Sequence, residues 1–485
     1  MMETFEQKAL DYYGEVIINK HLIHEAGFGA RAIPTYVGEW ILSAYAEEGA
    51  LTEASRERIA AFLGKYLPTK GQKDEIKNRL LKMETVRLLD DYSVSINLKT
   101  GERLLRIPLL DVNDAQVSGP IVDHNELLVT SGVWGIGDLF YTPPESTREQ
   151  GRVWMREFRP FQVSSVDMDY FKACRRHFTL DEWLDLMVSS IGFNPRALTG
   201  PQKMILITRI VPLAEPRVNL VELAPKGTGK SFVYDNLSRY ARVIGGGRIT
   251  PAALLHNLAS HTPGLITRYD AIVLDEVQSI HGDSAGELIA GLKVYLESGR
   301  YSRGKTMGTA EASFVMLGNL TLDEARRPVY ADVGLFREIP NFLQETAFLD
   351  RIHGLIAGWE MERVTKDTPS TSLGFKGDLI SEILHVLRRE AHYAEHVSQH
   401  MRLAGCDDLR DRKAIARLAT GFLKLLFPDL NPSEAEFRDY CVRPAVALRQ
   451  RVRDELHKMD PEYAEVSIGL EVAATSPTAP PTPTV

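Results

Sequence analysis

One segment, "ELAPKGTGKS" at 222–231, constrains this chain more than any other. It follows the apolar run "RVNLV" and precedes "FVYDNLSRYA", which has helical spacing. A buried strand, a glycine loop and a helix in that order form a phosphate cradle. The loop N–H groups and the positive end of the helix dipole point at one spot. Gly227 and Gly229 permit the tight turn, Lys230 has the reach for β- and γ-phosphates, and Ser231 offers a hydroxyl to Mg²⁺. Ala224, Pro225, Lys226 and Thr228 complete the loop. Ala224 stands where the pattern has its first glycine. Alanine is strained there only if the position needs a positive φ.

Downstream, "YDAIVLDEVQS" predicts a strand over 271–274 that ends in Asp275 and Glu276. The first acid is placed to hold Mg²⁺, the second to polarise the attacking water. A third strand, "ASFVMLGN", ends at Asn319, a residue suited to positioning that water. "ETAFLDRIHGLIAGWE" carries Arg351, which can cross to ATP on a neighbouring subunit or pair with Asp350. "LRDRKAIARLATGFLKLL" begins a lid helix, where Arg412 is a candidate γ-phosphate contact from the same chain and Arg410 and Arg417 are its rivals. Between the second and third strands, "LESGRYSRGKTMGTAEA" reads as a hairpin with Arg300, Arg303 and Lys305, and no acid from 298 to 310. These cations form a candidate DNA contact. The bland alternative is a solvated turn.

The rest of the chain arranges around this core. Residues 1–82 read as a helical region. Residues 83–165 read as a β-rich, barrel-like (OB-like) domain whose first two strands flank a turn at 99–101. Residues 166–365 form an α/β nucleotide-binding core with a helical lead-in, and residues 366–460 a helical lid. The end, 461–485, is rich in Pro, Thr and Ala and is expected to be disordered. The fold class is thus multidomain α/β.

No apolar run reaches the roughly 20 residues a bilayer span needs, and the N-terminus lacks a signal-peptide pattern. A cytoplasmic protein without membrane partners is the expectation. The three cysteines are far apart, which disfavours a disulfide framework or cysteine zinc site. The net charge of −8 leaves room for a local basic lining that binds nucleic acid. His392, His396 and His400 share a helix face at metal-ligand spacing, but no further ligand accompanies them, so a solvated or interface face is expected. Trp40 in "YVGEWIL" is expected to be core packing.

Loop, acidic strand end, polar strand end, crossing arginine and lid occur in the order of the AAA+ ATPases, which the chain resembles from about 198 to 456. "IPTYVGEWIL", "VRLLDDYSVSINL", "LVTSGVWGIGDLFY", "APKGTGKSFVYDNLS", "ESGRYSRGK" and "FLDRIHGLIAGWE" are more specific. They resemble the BrxL family, the Lon-protease-like AAA+ component of bacterial BREX phage-defence systems. That resemblance implies a hexameric or stacked ring that uses ATP and Mg²⁺, engages DNA (double-stranded) and meets other BREX components, with similarity to the MCM group of replicative helicases. Longer relatives add a Lon-like domain with a serine–lysine dyad. No such motif follows the lid, so no peptidase activity is expected. Two other functions compete. A protein unfoldase would grip peptide with an aromatic loop, yet residues 241–268 contain no Phe, Tyr or Trp. An ATP-switched scaffold would not need Glu276.

Overall fold

The computed structural model describes residues 4–471 except 27, 29–32, 47–50, 131, 145–149, 162–165, 259–261 and 282–284. The helices that lead the chain include α1 (Phe5–Tyr13), α2 (Thr35–Tyr45), α3 (Glu53–Tyr66) and α4 (Lys73–Leu81). Thr52 caps α3 by accepting from the Ser55 N–H, as its position before an amphipathic run requires.

Five strands follow: β1 (Val86–Asn97), β2 (Glu102–Ile107), β3 (Val112–Val117), β4 (Val133–Thr142) and β5 (Arg152–Pro160). They close into a barrel in the order β1-β2-β3-β5-β4. The pairing is antiparallel except between β3 and β5. Val86, Leu88, Tyr92 and Val94 of β1 fill the interior with Leu105, Ala115 and Leu139. A closed barrel leaves no free sheet edge.

Two helices, α5 (Leu180–Ile191) and α6 (Gly200–Ala214), precede the central sheet. Both begin with a capping box, Thr179 with Glu182 and Thr199 with Gln202. The sheet-building elements are β6 (Asn219–Ala224), α7 (Lys230–Leu237), β7 (Ala241–Ile244), β8 (Ala271–Leu274), α8 (Ala285–Ser298), the hairpin β9 (Arg300–Arg303) and β10 (Thr306–Thr309), β11 (Ser313–Asn319) and β12 (Gly354–Ala357). The five-stranded sheet runs β12-β6-β11-β8-β7 and is parallel throughout. Its central strands are apolar along nearly their whole length because both faces are covered.

The lid comprises α9 (Gly377–Arg388), α10 (His392–His400), α11 (Leu409–Leu426) and α12 (Arg443–Met459). On α11, Ile415, Leu418, Phe422 and Leu425 are buried at helical spacing. The His396 and His400 rings stack at 4.2 Å and both meet Phe437. Among the described residues no cluster of three metal-binding side chains forms.

Three placements differ from the sequence reading. The segment from Phe5 to Asn19 does not stay with the other N-terminal helices. Phe5, Ala9 and Tyr13 enter the core around Trp183 and Phe375, and residues 17–19 pair antiparallel with 373–375. The lid linker thus supplies a strand that no local pattern announces. Secondly, the disorder expected from 461 begins later at the earliest. Gly469–Leu470 pairs with Leu403–Ala404, and Ile468 is buried. Residues 472–485 lie outside the described part. Thirdly, α2 is joined to the lid by charge. The buried Glu39 accepts from Lys20 Nζ at 2.5 Å and from the Gly377 N–H at 2.5 Å. Removing one member of such a pair costs about 3–5 kcal/mol, because it strands the other. Trp40 stacks on Phe161 at 3.7 Å, joining α2 to the barrel end.

Asp91 faces a cleft between barrel and core that Arg106, Arg242 and Arg268 also line. Burial and the neighbouring Asp90 push its carboxyl from the usual 3.8 to about 6, against the pull of Arg106 and Arg242. The folded state therefore binds this proton more tightly than the unfolded chain does. Stability should fall as pH rises from about 4 to about 6 and level off above. Asp91→Asn should flatten that slope in melting curves taken across the window.

Candidate nucleotide site

The strand β6 is buried along its whole length and carries the chain to the loop at 225–229. Gly227 and Gly229 take φ values of +82° and +72°, which a side chain would strain. Ala224 is not among the residues with positive φ. It ends β6 in register with Asn319 of β11. Its methyl faces Gly358, where an added Cβ would come within 2.6 Å of it. The small residue that makes room is therefore Gly358, and the alanine sits without strain.

The loop is held from behind. Arg209 of α6 and Glu222 of β6 form a fully buried pair at 2.6 Å, and Arg209 also donates to the Thr228 carbonyl at 3.3 Å. The Thr228 hydroxyl donates to the Pro225 carbonyl at 3.3 Å. From the front, the Val364 N–H donates to the Gly227 carbonyl at 2.7 Å.

Because β6, β8 and β11 are adjacent and parallel, their carboxyl ends meet at one edge, where open α/β sheets bind ligands. There Lys230 Nζ donates to Asn319 Oδ1 at 2.8 Å, and Ser231 Oγ donates to Asp275 Oδ2 at 2.6 Å. Burial pushes the Lys230 ammonium down from its usual range, with Glu222 and Asp275 opposing. A buried lysine in that condition favours an anion beside it. Glu276 is exposed and holds a left-handed backbone at φ +49° while its N–H donates to Asp275 Oδ1 at 2.8 Å. Backbone strain in a non-glycine residue clusters at functional sites. A hydroxyl and a carboxylate 2.6 Å apart are the hard oxygen donors that suit Mg²⁺.

A cleft of about 1020 Å³ opens over this edge, lined among others by Phe193, Leu198, Lys226, Gln278, Arg326 and Arg363. Sequence reading missed these except Lys226. Gln278 donates to the Asn319 carbonyl at 2.6 Å, and Arg326 pairs with Glu362 at 2.7 Å. Only the proximity of Gln278 to the acidic strand end hinted at such a place.

The candidate arginines lie elsewhere. The Arg351 carbonyl accepts from Asn219 Nδ2 at 3.1 Å, and Asn219 starts β6, whose other end feeds the loop. At about 3.3 Å per residue, roughly 16 Å separate the two ends of this strand. Arg351 is therefore far from the phosphate cradle of its own chain. It pairs with Glu297 at 3.3 Å, while Asp350 is taken by Arg449 at 2.7 Å and by Arg410. The structure does not bring Arg412 to the loop of its own chain either. It is exposed on the first turn of α11 and donates to the Cys406 carbonyl at 3.3 Å. That turn is anchored to the Arg351 end of the sheet through Arg410, and Arg417 reaches the Arg217 carbonyl just before β6. Of the three lid arginines, Arg410 is the one joined to Arg351, through their shared partner Glu297.

In the hairpin, Arg300 and Lys305 are exposed, and so is Met307 on β10. Arg303 is held: it pairs with Glu287 at 3.0 Å and donates to the His256 carbonyl at 2.7 Å. That partner lies in the first turn of α8, against the turn end of the hairpin, and outside the acid-free stretch read from sequence.

Among the described residues no helix is long and apolar enough to cross a membrane. The ATPase-domain model of the Lon-like protease BrxL-like proteins matches residues 153–469. The N-terminal model of the BREX system Lon protease-like protein BrxL matches residues 11–141. The chain is similar to the Lon-like protease BrxL of Escherichia coli O9:H4 (strain HS), at 29% identity over 462 residues, 94% of this chain and 65% of that protein. It is similar to the Lon-like protease BrxL of Bacillus cereus (strain H3081.97) at 27% over 463 residues, 94% and 67%. The chain thus spans about two thirds of the length of these relatives. With an ATPase-domain match over residues that contain the whole parallel sheet and its phosphate cradle, the chain belongs to the BrxL family of BREX-system Lon-protease-like proteins.

Proposed function

We propose that this chain hydrolyses ATP as a ring of identical subunits and couples the hydrolysis to DNA, in BREX phage defence. The observation that carries the ATP reading is the meeting of Lys230 with Asn319 and of Ser231 with Asp275 at one sheet edge. With ATP bound, the loop N–H groups hold the phosphates, and Lys230 leaves Asn319 for the β- and γ-phosphate oxygens. Ser231 and Asp275 would hold Mg²⁺. The ion, when bound, neutralises phosphate charge as it develops. Glu276 accepts a proton from the attacking water, and Asn319, released by Lys230, orients that water.

A ring is supported by the position of Arg351 and Arg410 at the sheet end away from their own loop. An arginine there is useful to ATP only on a neighbouring copy. This sharpens the lid assignment from Arg412 acting in its own chain to Arg410 acting across the boundary. Six subunits are the number the family resemblance suggests.

DNA is the partner that the hairpin favours. Arg300 and Lys305 are exposed, whereas Arg303, beside the hairpin turn, is engaged by Glu287 of α8. Replacing Arg300 and Lys305 with glutamate should weaken duplex DNA binding at least tenfold at moderate salt. It should also lower the slope of log affinity against log salt by about one for each lost phosphate contact. Arg303→Glu should instead lower the melting temperature. Unchanged affinity and slope in the Arg300/Lys305 variant would remove the hairpin from the DNA path. Unfolding of a tagged reporter protein without DNA would favour a peptide-gripping ring.

A further inference from the structure

Glu297 is the next-to-last residue of α8, and the hairpin begins three residues later at Arg300. Its carboxylate Oε2 lies 3.3 Å from Arg351 Nε and 3.0 Å from Arg410 Nη2. One exposed carboxylate therefore gathers an arginine from the segment before β12 and another from the lid. Two guanidinium groups brought this close repel each other unless an anion stands between them. Arg351 Nη1 also donates to the Ala347 carbonyl, and Arg410 Nη1 to Asp350. Each side chain is thus held at two points with part of its donor fork unspent.

The backbone repeats the connection. Asn219 Nδ2 donates to the Leu296 carbonyl of α8 at 3.3 Å and to the Arg351 carbonyl at 3.1 Å. Arg217 Nη1 donates to the Ser298 carbonyl at 3.0 Å, bracing the turn into the hairpin. A shift of the hairpin that moves the end of α8 must move Glu297, and with it the two arginines.

We infer that Glu297 is a positioning residue that aims Arg351 and Arg410 at ATP on the neighbouring copy and links that aim to the hairpin. This rests on the reading that the two arginines act across the subunit boundary. Glu297 touches no nucleotide, so its loss should affect the rate and spare nucleotide binding. Its side chain is about two-fifths exposed, and Glu297→Gln keeps its size.

The test is steady-state ATP turnover of the full chain, with and without linear duplex DNA, at a concentration where the wild-type protein is assembled. Glu297→Gln should lower kcat about tenfold, leave KM for ATP within twofold, leave the melting temperature unchanged, and abolish the change in turnover on adding DNA. Glu297→Asp should recover part of kcat. A Glu297→Gln kcat within twofold of wild type overturns the positioning role. An Arg351→Ala variant measured alongside separates the two readings. If it too keeps wild-type turnover, the trans-acting arginine is wrong. If it is inactive while Glu297→Gln is active, only the role of Glu297 falls. A wild-type turnover indifferent to DNA, or a Glu297→Gln variant with the wild-type response, overturns the link to the hairpin.

Discussion

Glu276→Gln is expected to bind ATP as tightly as the wild type and to turn it over at least about a hundredfold more slowly. A positioned general base contributes ~10²–10⁴ to a rate. The substitution keeps the shape of the side chain and removes only its ability to take a proton. Glu276 sits next to Asp275, held there by a left-handed backbone and by its own N–H bond to the Asp275 carboxylate. Its position is thus set by the main chain and should survive the exchange. In the proposed mechanism ATP binding rests on Lys230, Ser231 and the loop, none of which uses the Glu276 carboxylate. The measurement is a pair: equilibrium binding of a fluorescent ATP analogue and phosphate release. Near-normal phosphate release would take Glu276 out of the water-activating role.

Arg351→Ala should lose more, roughly a thousandfold, the lower end of what an arginine finger supplies. The decisive version mixes two inactive proteins. Arg351→Ala keeps a complete loop, acids and Asn319, while Glu276→Gln keeps a complete arginine. In a mixed ring, an Arg351→Ala subunit beside a Glu276→Gln subunit forms one intact boundary. Turnover should therefore reappear on mixing, reaching up to about a quarter of the wild-type rate when subunits assort randomly in equal amounts and neighbours do not influence one another. An arginine that served its own chain would give no recovery. The geometry forecasts recovery, because the β6 strand separates Arg351 from its own phosphate cradle.

Much of the candidate nucleotide site was legible along the chain. Gly227, Gly229, Lys230 and Ser231 must be contiguous to form a loop, and Asp275, Glu276 and Asn319 each end an apolar run. Residues that are local in sequence, or that mark the end of a continuous apolar strand, carry their signal with them. The barrel was legible for the same reason, through alternation in β1 and the turn after it. The engagement of Arg303 was not legible because its partner Glu287 lies near the start of the preceding helix, well before the stretch scanned for acids. The placement of Arg412 against Cys406 was not legible because lid orientation depends on helix packing, which no spacing within α11 reports.

Sequence alone determined the chemical parts: a phosphate loop, two acids, a polar strand end and several arginines, in an order that only a parallel sheet can use. It determined them because each part is a short run whose spacing follows from strand and helix periods. Tertiary structure alone decided which parts meet. It placed Lys230 on Asn319 and Ser231 on Asp275, matched Ala224 with Gly358, and set Arg351 and Arg410 on Glu297 at the far end of the sheet. Those contacts join residues tens to hundreds of positions apart, and strand order and lid packing bring them together.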